Sequence, residues 1–172
     1  INFLEKKDKI NIVELGTTRS FVDGKFRGCK DNNIKWWKPN NPKKWDWSAG
    51  IFTKYMSDVL NERGINYKLT SIDLNENALE ISKIMTEESK HFINYIKIDS
   101  ETFIKQCDTK SVDLLYIDTG SMDEPTAKLQ LREAKLIVSK NILKDDGLIL
   151  IDDVKNPAMI INNVSNDIFG KS

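Results

Sequence analysis

Five apolar runs in this chain end in acidic residues, and acids placed that way have definite chemical uses. Glu14 closes "VELGTT", Asp73 closes "TSIDL", Asp99 with Ser100 follows "IKI", Asp118 closes "LLYID", and Asp152 with Asp153 closes "LILIDD". A carboxylate at Asp73 can accept both hydroxyl hydrogens of a ribose, as nucleoside and dinucleotide binders require. It can equally cap the helix that follows, a task Asn75 would share. Asp99 or Ser100 can accept from an adenine amino group. Asp118 and Asp152 can orient a substrate or act as general base. Together with Asp153 they form a set of hard oxygen ligands suited to Mg²⁺, which would lower the pKa of a bound hydroxyl. The plain alternative is that these acids only solvate strand ends.

Gly16 marks a sharp turn after the first run, yet no second glycine follows at the spacing of a phosphate- or cofactor-cradling loop. The gap is explained if residues 22–48 are an insertion. Gly50, at the mouth of the next amphipathic segment with Thr53 in its first turn, then supplies the missing half of the cradle, where free helix N–H groups favour a polar or anionic ligand. Excising about 30 residues also restores roughly the separation expected between a glycine turn and a ribose-binding acid. The insertion holds all four tryptophans, Trp36, Trp37, Trp45 and Trp47. Lying over the site, they would form an aromatic wall or lid for a sugar or ring-bearing acceptor, with Arg19 and nearby lysines receiving an acidic substituent. The competing expectation is a small private core that holds the insertion down.

The elements that must position these residues are legible from periodicity. Strands are expected over Lys9–Leu15, Tyr67–Leu74, Ile93–Asp99, Ser111–Asp118 and Gly147–Val154, each a short apolar run of the kind found in buried parallel sheets. A helix carrying Phe52, Tyr55, Met56, Val59 and Leu60 on one stripe ends at Gly64. A second runs from about Glu76 to Glu88 on Ala78, Ile81 and Met85. A third runs from about Thr126 to Lys140 on Leu131, Ala134 and Val138, with "KDDG" as the turn into the last strand. Alternating strands and helices predict an α/β Rossmann-like, doubly wound and mostly parallel sheet with helices on both faces, in one domain over residues 1–172.

Composition narrows the partners. Lys plus Arg and Asp plus Glu both number 26, so the chain has no net charge to draw in nucleic acid or an anionic membrane, and no apolar run is long enough to cross a bilayer. Cys29 and Cys107 lack metal-ligand spacing and read as reduced thiols, consistent with a cytoplasmic address. His91, the sole histidine, sits in a polar connection and reads as a surface residue. The chain opens at Ile1 and stops soon after the fifth strand, so it reads as truncated at both ends.

Taken in order, "VELGTT", "SIDLNENAL", "IKIDSETF", "VDLLYIDTG" and "LKDDGLILIDDV" resemble the class I S-adenosylmethionine-dependent methyltransferases, especially the small-molecule O-methyltransferase branch that includes cephalosporin hydroxylase-like and sugar-modifying members. The resemblance runs from about Lys9 to Val154. It implies that Glu14, Gly16, Thr17 and the Gly50–Thr53 region hold the methionine end of the cofactor, Asp73 and Leu74 the ribose side, and Asp99 with Ser100 the adenine. Catechol-type members pair an acid with an acid-amide set around Mg²⁺. Here Asp153 stands in place of the amide and "DTGSM" has no lysine after Asp118. Nothing in periodicity selects S-adenosylmethionine over a nicotinamide, so a hydroxylase- or oxidoreductase-like enzyme and a non-catalytic cofactor-binding module stay open. The resemblance also implies a closing antiparallel hairpin, which this chain is too short to supply; the exposed sheet edge would then favour a homodimer.

Overall fold

A computed structural model describes residues 7–17, 52–120 and 124–152. Along the chain these form β1 (Ile10–Leu15), α1 (Phe52–Glu62), β2 (Tyr67–Asp73), α2 (Glu76–Met85), a 3₁₀ turn (Glu87–Ser89), β3 (Ile93–Lys97), α3 (Ser100–Gln106), β4 (Val112–Ile117), α4 (Glu124–Ser139) and β5 (Leu143–Ile151). The strands lie in the order β3-β2-β1-β4-β5, and every pairing is parallel. This is the expected Rossmann-like arrangement, with its topological switch between β1 and β4. The insertion and its tryptophans, the stretch containing Gly50, and the residues after Asp152 that bear on a closing hairpin lie outside the described residues.

Because strand side chains alternate, β1 feeds two cores. Ile10 and Ile12 pack with Met56 and Leu60 of α1 and with Tyr67 and Leu69 of β2. Val13 and Leu15 face the other way, into Ile104 of α3, Ile137 of α4, and Leu115 and Ile117 of β4. Ala78, Ile81 and Met85 are buried along α2 as the spacing predicts. The helix stops at Met85, short of the expected Glu88, and the chain tightens into the 3₁₀ turn. α1 ends where Gly64 adopts a φ of 63°, a left-handed position that glycine fills at least cost.

Two helices turn differently from their apolar stripes. In α1 the buried residues are Thr53, Met56, Ser57 and Leu60, while Tyr55 is exposed. In α4 they are Thr126, Gln130, Glu133, Ala134 and Ile137, while Val138 is exposed. In each, polar side chains take inward places because buried polar partners need them, and this outweighs the burial of one more apolar group. β5 also begins earlier than expected. "LKDDG" is no simple turn: Leu143 already pairs with Val112, and a bulge intervenes before Leu148 pairs with Leu114.

The amino edge of the sheet is fastened by charge. Asp113 is fully buried; it accepts from Lys7 at 2.6 Å, Lys144 at 2.7 Å and the Asn11 backbone N–H at 2.8 Å. Burial alone would raise its pKa, but Lys144, Lys7 and the Asn11 N–H hold it below the usual aspartate range. Asp113→Ala should therefore lower stability by about 3 kcal/mol in urea titrations at neutral pH. Since the folded-state pKa is depressed, this contribution is present above the ordinary aspartate pKa and is lost as pH falls through the folded value. The variant's stability should vary less with pH in that acid range than the parent's.

Candidate functional site

The opposite, carboxyl edge gathers the acids singled out in the sequence. Backbone hydrogen bonds bind the strand ends together there: Gly16 N–H to the Ile72 carbonyl at 3.0 Å, Asp118 N–H to Leu15 at 2.8 Å, and Asp152 N–H to Ile117 at 2.9 Å. Gly16 has a φ of 85°, and a Cβ on it would stand 2.2 Å from the Asp118 carbonyl oxygen. The turn out of β1 thus tolerates only glycine, for both dihedral and space.

Glu14 lies on the α1 face of β1 and is completely buried. Its Oε2 accepts hydrogen bonds from Thr53 Oγ1 and Ser71 Oγ. Thr53 is in the first turn of α1, so the end of β1 and the start of α1 meet directly, as the cradle argument requires. Gly50 itself lies outside the described residues. Glu14 Oε1 and the buried Thr17 Oγ1 have no hydrogen-bond partner among the described residues. Burial pushes the Glu14 pKa up to about 7, against the pull of the Ser71 and Thr53 hydroxyls.

Asp73, at the end of β2, accepts from the Thr17 N–H at 3.1 Å through Oδ2 and from the Asn75 N–H at 2.7 Å through Oδ1. It fixes the chain leaving β1 beside its own strand. The helix-capping alternative falls to Asn75, whose Oδ1 accepts from the Ala78 N–H at 3.3 Å. Leu74, next to Asp73, is 68% exposed, an apolar surface left at the edge. Asp99 caps α3, accepting from the Thr102 N–H at 2.8 Å, and that bond holds its pKa down.

Several functional residues were not foreseen. Ser100 Oγ donates to Glu133 Oε1, and Thr119 Oγ1 donates to Glu133 Oε2 at 2.7 Å, so one buried carboxyl on α4 ties the β3–α3 junction to the chain leaving β4. The available signal was a glutamate sharing a helical face with Thr126, Gln130, Ala134 and Ile137. On the α1 side, Tyr116 stacks on Phe52 with ring centroids 4.2 Å apart, and its hydroxyl donates to Asp152 Oδ2 at 2.5 Å. Burial, the Asp152 bond and the neighbouring Asp118 charge all raise the Tyr116 pKa, so the phenol keeps its proton and the carboxylate stays the acceptor. Asp118 and Asp152 thus sit at adjacent strand ends beside a half-buried aromatic pair.

The expected Mg²⁺ site draws on Asp118, Asp152 and Asp153, and only the first two are among the described residues. Among the described residues no group of three or more His, Cys, Asp or Glu side chains is placed to hold a metal ion. Asp153, the third of the proposed ligands, lies outside the described residues, and Tyr116 already engages Asp152. A cleft of about 430 Å³ lined by Lys7, Asp8, Arg63, Gly64, Ile65 and Asn66 lies at the amino edge, across the sheet from these groups. His91 is exposed, as expected, and Cys107 is a free thiol. No described helix is long and apolar enough to cross a membrane.

A family of methyltransferase domains matches residues 47–154. No curated protein matches the chain. Among solved structures, precorrin 8W decarboxylase from Methanobacterium thermoautotrophicum aligns at a TM-score of 0.58 and 11% identity, covering 96% of this chain and 66% of that one. A SAM-dependent methyltransferase from Geobacter sulfurreducens, in complex with S-adenosyl-L-homocysteine, aligns at 0.47 and 12%, covering 87% and 44%. A SAM-dependent methyltransferase from Archaeoglobus fulgidus aligns at 0.45 and 14%, covering 83% and 44%. The first likeness speaks to the fold alone, and the two weaker ones add nothing to it. The chain spans two thirds or less of the length of each of these structures.

Glu14 makes the site's pH behaviour predictable. Its folded pKa is raised above that of an unfolded glutamate, so stability should fall by about 3 kcal/mol as pH rises from the ordinary glutamate value through 7. Chemical denaturation across that range should show the loss, and Glu14→Gln should flatten it. Gly16→Ala should lower the melting temperature by several degrees, roughly 1–3 kcal/mol of strain.

Proposed function

The chain belongs to this family of methyltransferase domains, and from that premise we propose that it moves a methyl group from S-adenosylmethionine to a hydroxyl of a small-molecule acceptor. The observation that carries the reading is the cradle at the end of β1: a glycine that no side chain can replace, flanked by the unpartnered, buried Glu14 Oε1 and Thr17 Oγ1, with Asp73 against it. Two buried polar atoms without a partner among the described residues, beside a tight backbone turn, fit a ligand that brings hydrogen-bond donors, as the ammonium end of an amino acid does.

On this reading Glu14, Gly16 and Thr17 receive the methionine end, Asp73 the ribose hydroxyls, and Asp99 with Ser100 the adenine, with Leu74 supplying apolar contact. Bound there, S-adenosylmethionine supplies an activated methyl group on sulfur. An arriving ammonium would favour ionised Glu14 and offset the cost of its burial. Asp118 takes the acceptor's one proton as its oxygen gains the methyl group, leaving S-adenosylhomocysteine, and Asp152 orients the acceptor. Tyr116 holds the Asp152 carboxylate in place, and the Phe52–Tyr116 stack favours a ring-bearing or sugar acceptor. Alignment of the acceptor oxygen carries most of the rate. Zero net charge argues against nucleic acid as the acceptor.

Isothermal titration calorimetry tests the cofactor. S-adenosylhomocysteine should bind and NADH should not. Asp73→Asn should weaken S-adenosylhomocysteine by about 10- to 100-fold, the range for a lost charge-assisted hydrogen bond. Preference for NADH would instead favour the oxidoreductase-like alternative.

A further inference from the structure

We propose that Glu133 sets the purine selectivity of this site by fixing Ser100 as a hydrogen-bond acceptor. The proposal rests on the reading that the carboxyl edge receives an adenosyl group.

A serine hydroxyl has one proton and two lone pairs, and it ordinarily rotates to suit whatever approaches it. Ser100 has lost that freedom. Its proton is given to Glu133 Oε1, while Thr119 Oγ1 donates to Glu133 Oε2, so both carboxylate oxygens are engaged. Burial raises the pKa of Glu133 against the pull of Ser100 and Thr119, so the arrangement is set once the group has ionised: a carboxylate has no proton to return, and neither hydroxyl can then reverse its bond. Glu133 is fully buried, where water cannot substitute for either hydroxyl. Gln130 holds the other side of this junction, its Nε2 donating to the Thr119 carbonyl at 3.4 Å. The charged groups beside Glu133 are Glu101 and Arg132, which are paired with each other at 3.1 Å and do not compete for its oxygens.

Ser100 is itself only partly buried, at the first position of α3 on the carboxyl edge. What it offers a ligand is therefore lone pairs. Adenine carries an amino group at its six-position and can donate to them. A 6-oxo purine carries a carbonyl there, which would set lone pair against lone pair and leave a polar group unsatisfied. Ser100 contacts the base on this view, and Glu133 is a positioning residue acting through it.

The test is calorimetric binding of S-adenosylhomocysteine and S-inosylhomocysteine to the full chain at pH 8, with melting curves to establish that each variant is folded. The parent should prefer the adenosyl compound by about 10- to 100-fold, the range of one unsatisfied buried hydrogen bond. Ser100→Ala should bring the ratio toward one by weakening the adenosyl compound. Glu133→Gln should also lower the ratio, because its amide can donate to Ser100 and let the hydroxyl turn round; a merely structural role would weaken both ligands alike. If Glu133→Gln does not fold, Ser100→Ala decides. Equal binding of the two compounds by the parent would overturn this inference and leave the cofactor reading intact, as would discrimination that survives Ser100→Ala and vanishes in Asp99→Asn. Failure of the parent to bind either compound would overturn both.

Discussion

A carboxyl group sealed from water holds the working edge of this protein together. Glu14 accepts from Thr53 and Ser71, which joins the end of β1 to the first turn of α1 and to β2. An isolated buried charge is costly, and a carboxyl with donors on one oxygen and none on the other is only partly compensated. The fold accepts that cost at the point where a ligand with donors would relieve it. The inward rotation of α1 follows from the same need, because Thr53 and Ser57 occupy places that a purely apolar stripe would give to larger side chains.

A second buried carboxyl repeats the device on the other face of the sheet. Glu133 takes the protons of Ser100 and Thr119 and so joins the β3–α3 junction to the exit of β4. In both cases an acid on one element is held by two hydroxyls from two other segments, all near strand carboxyl ends. Each hydroxyl so engaged loses its choice of donor or acceptor once its acid is ionised, which burial defers to higher pH at both sites. The edge is therefore pre-set in polarity as well as shape, which lowers the ordering cost of binding. At the amino edge Asp113 is satisfied by two lysines and a backbone N–H. That is a closed arrangement with a stabilising role, in contrast to the open valence at Glu14.

Doubly wound sheets bind their ligands at the carboxyl ends of their strands, and the proposed cofactor position lies there, between the exits of β1, β2 and β4. The proposed acceptor side is built from different material: Asp118, Asp152 and the Phe52–Tyr116 stack. Tyr116 links the two regions, since its ring packs on the first residue of α1 and its hydroxyl engages the end of β5. Substrate and cofactor positions would then share one rigid edge, and misalignment of either would be felt by the other.

Residue order alone determined the alternation of strands and helices, the glycine turn at Gly16, and the acids that end each strand. These follow from local rules: a period of two in strands, the freedom of glycine at positive φ, and the exposure of polar groups where a strand leaves the core. It also suggested that β1 and α1 meet despite the long interval between them, since an insertion would account for the glycine spacing, although a plain turn and helix boundary would leave the same two glycines. Tertiary structure alone decided which face of α1 and α4 turns inward, where β5 begins, and that Glu133, Ser71 and Tyr116 belong to the site. The physical reason is that a buried hydrogen bond needs both partners. Glu133 is 33 residues from Ser100, and Tyr116 is 36 from Asp152. No local pattern records that the other partner has arrived.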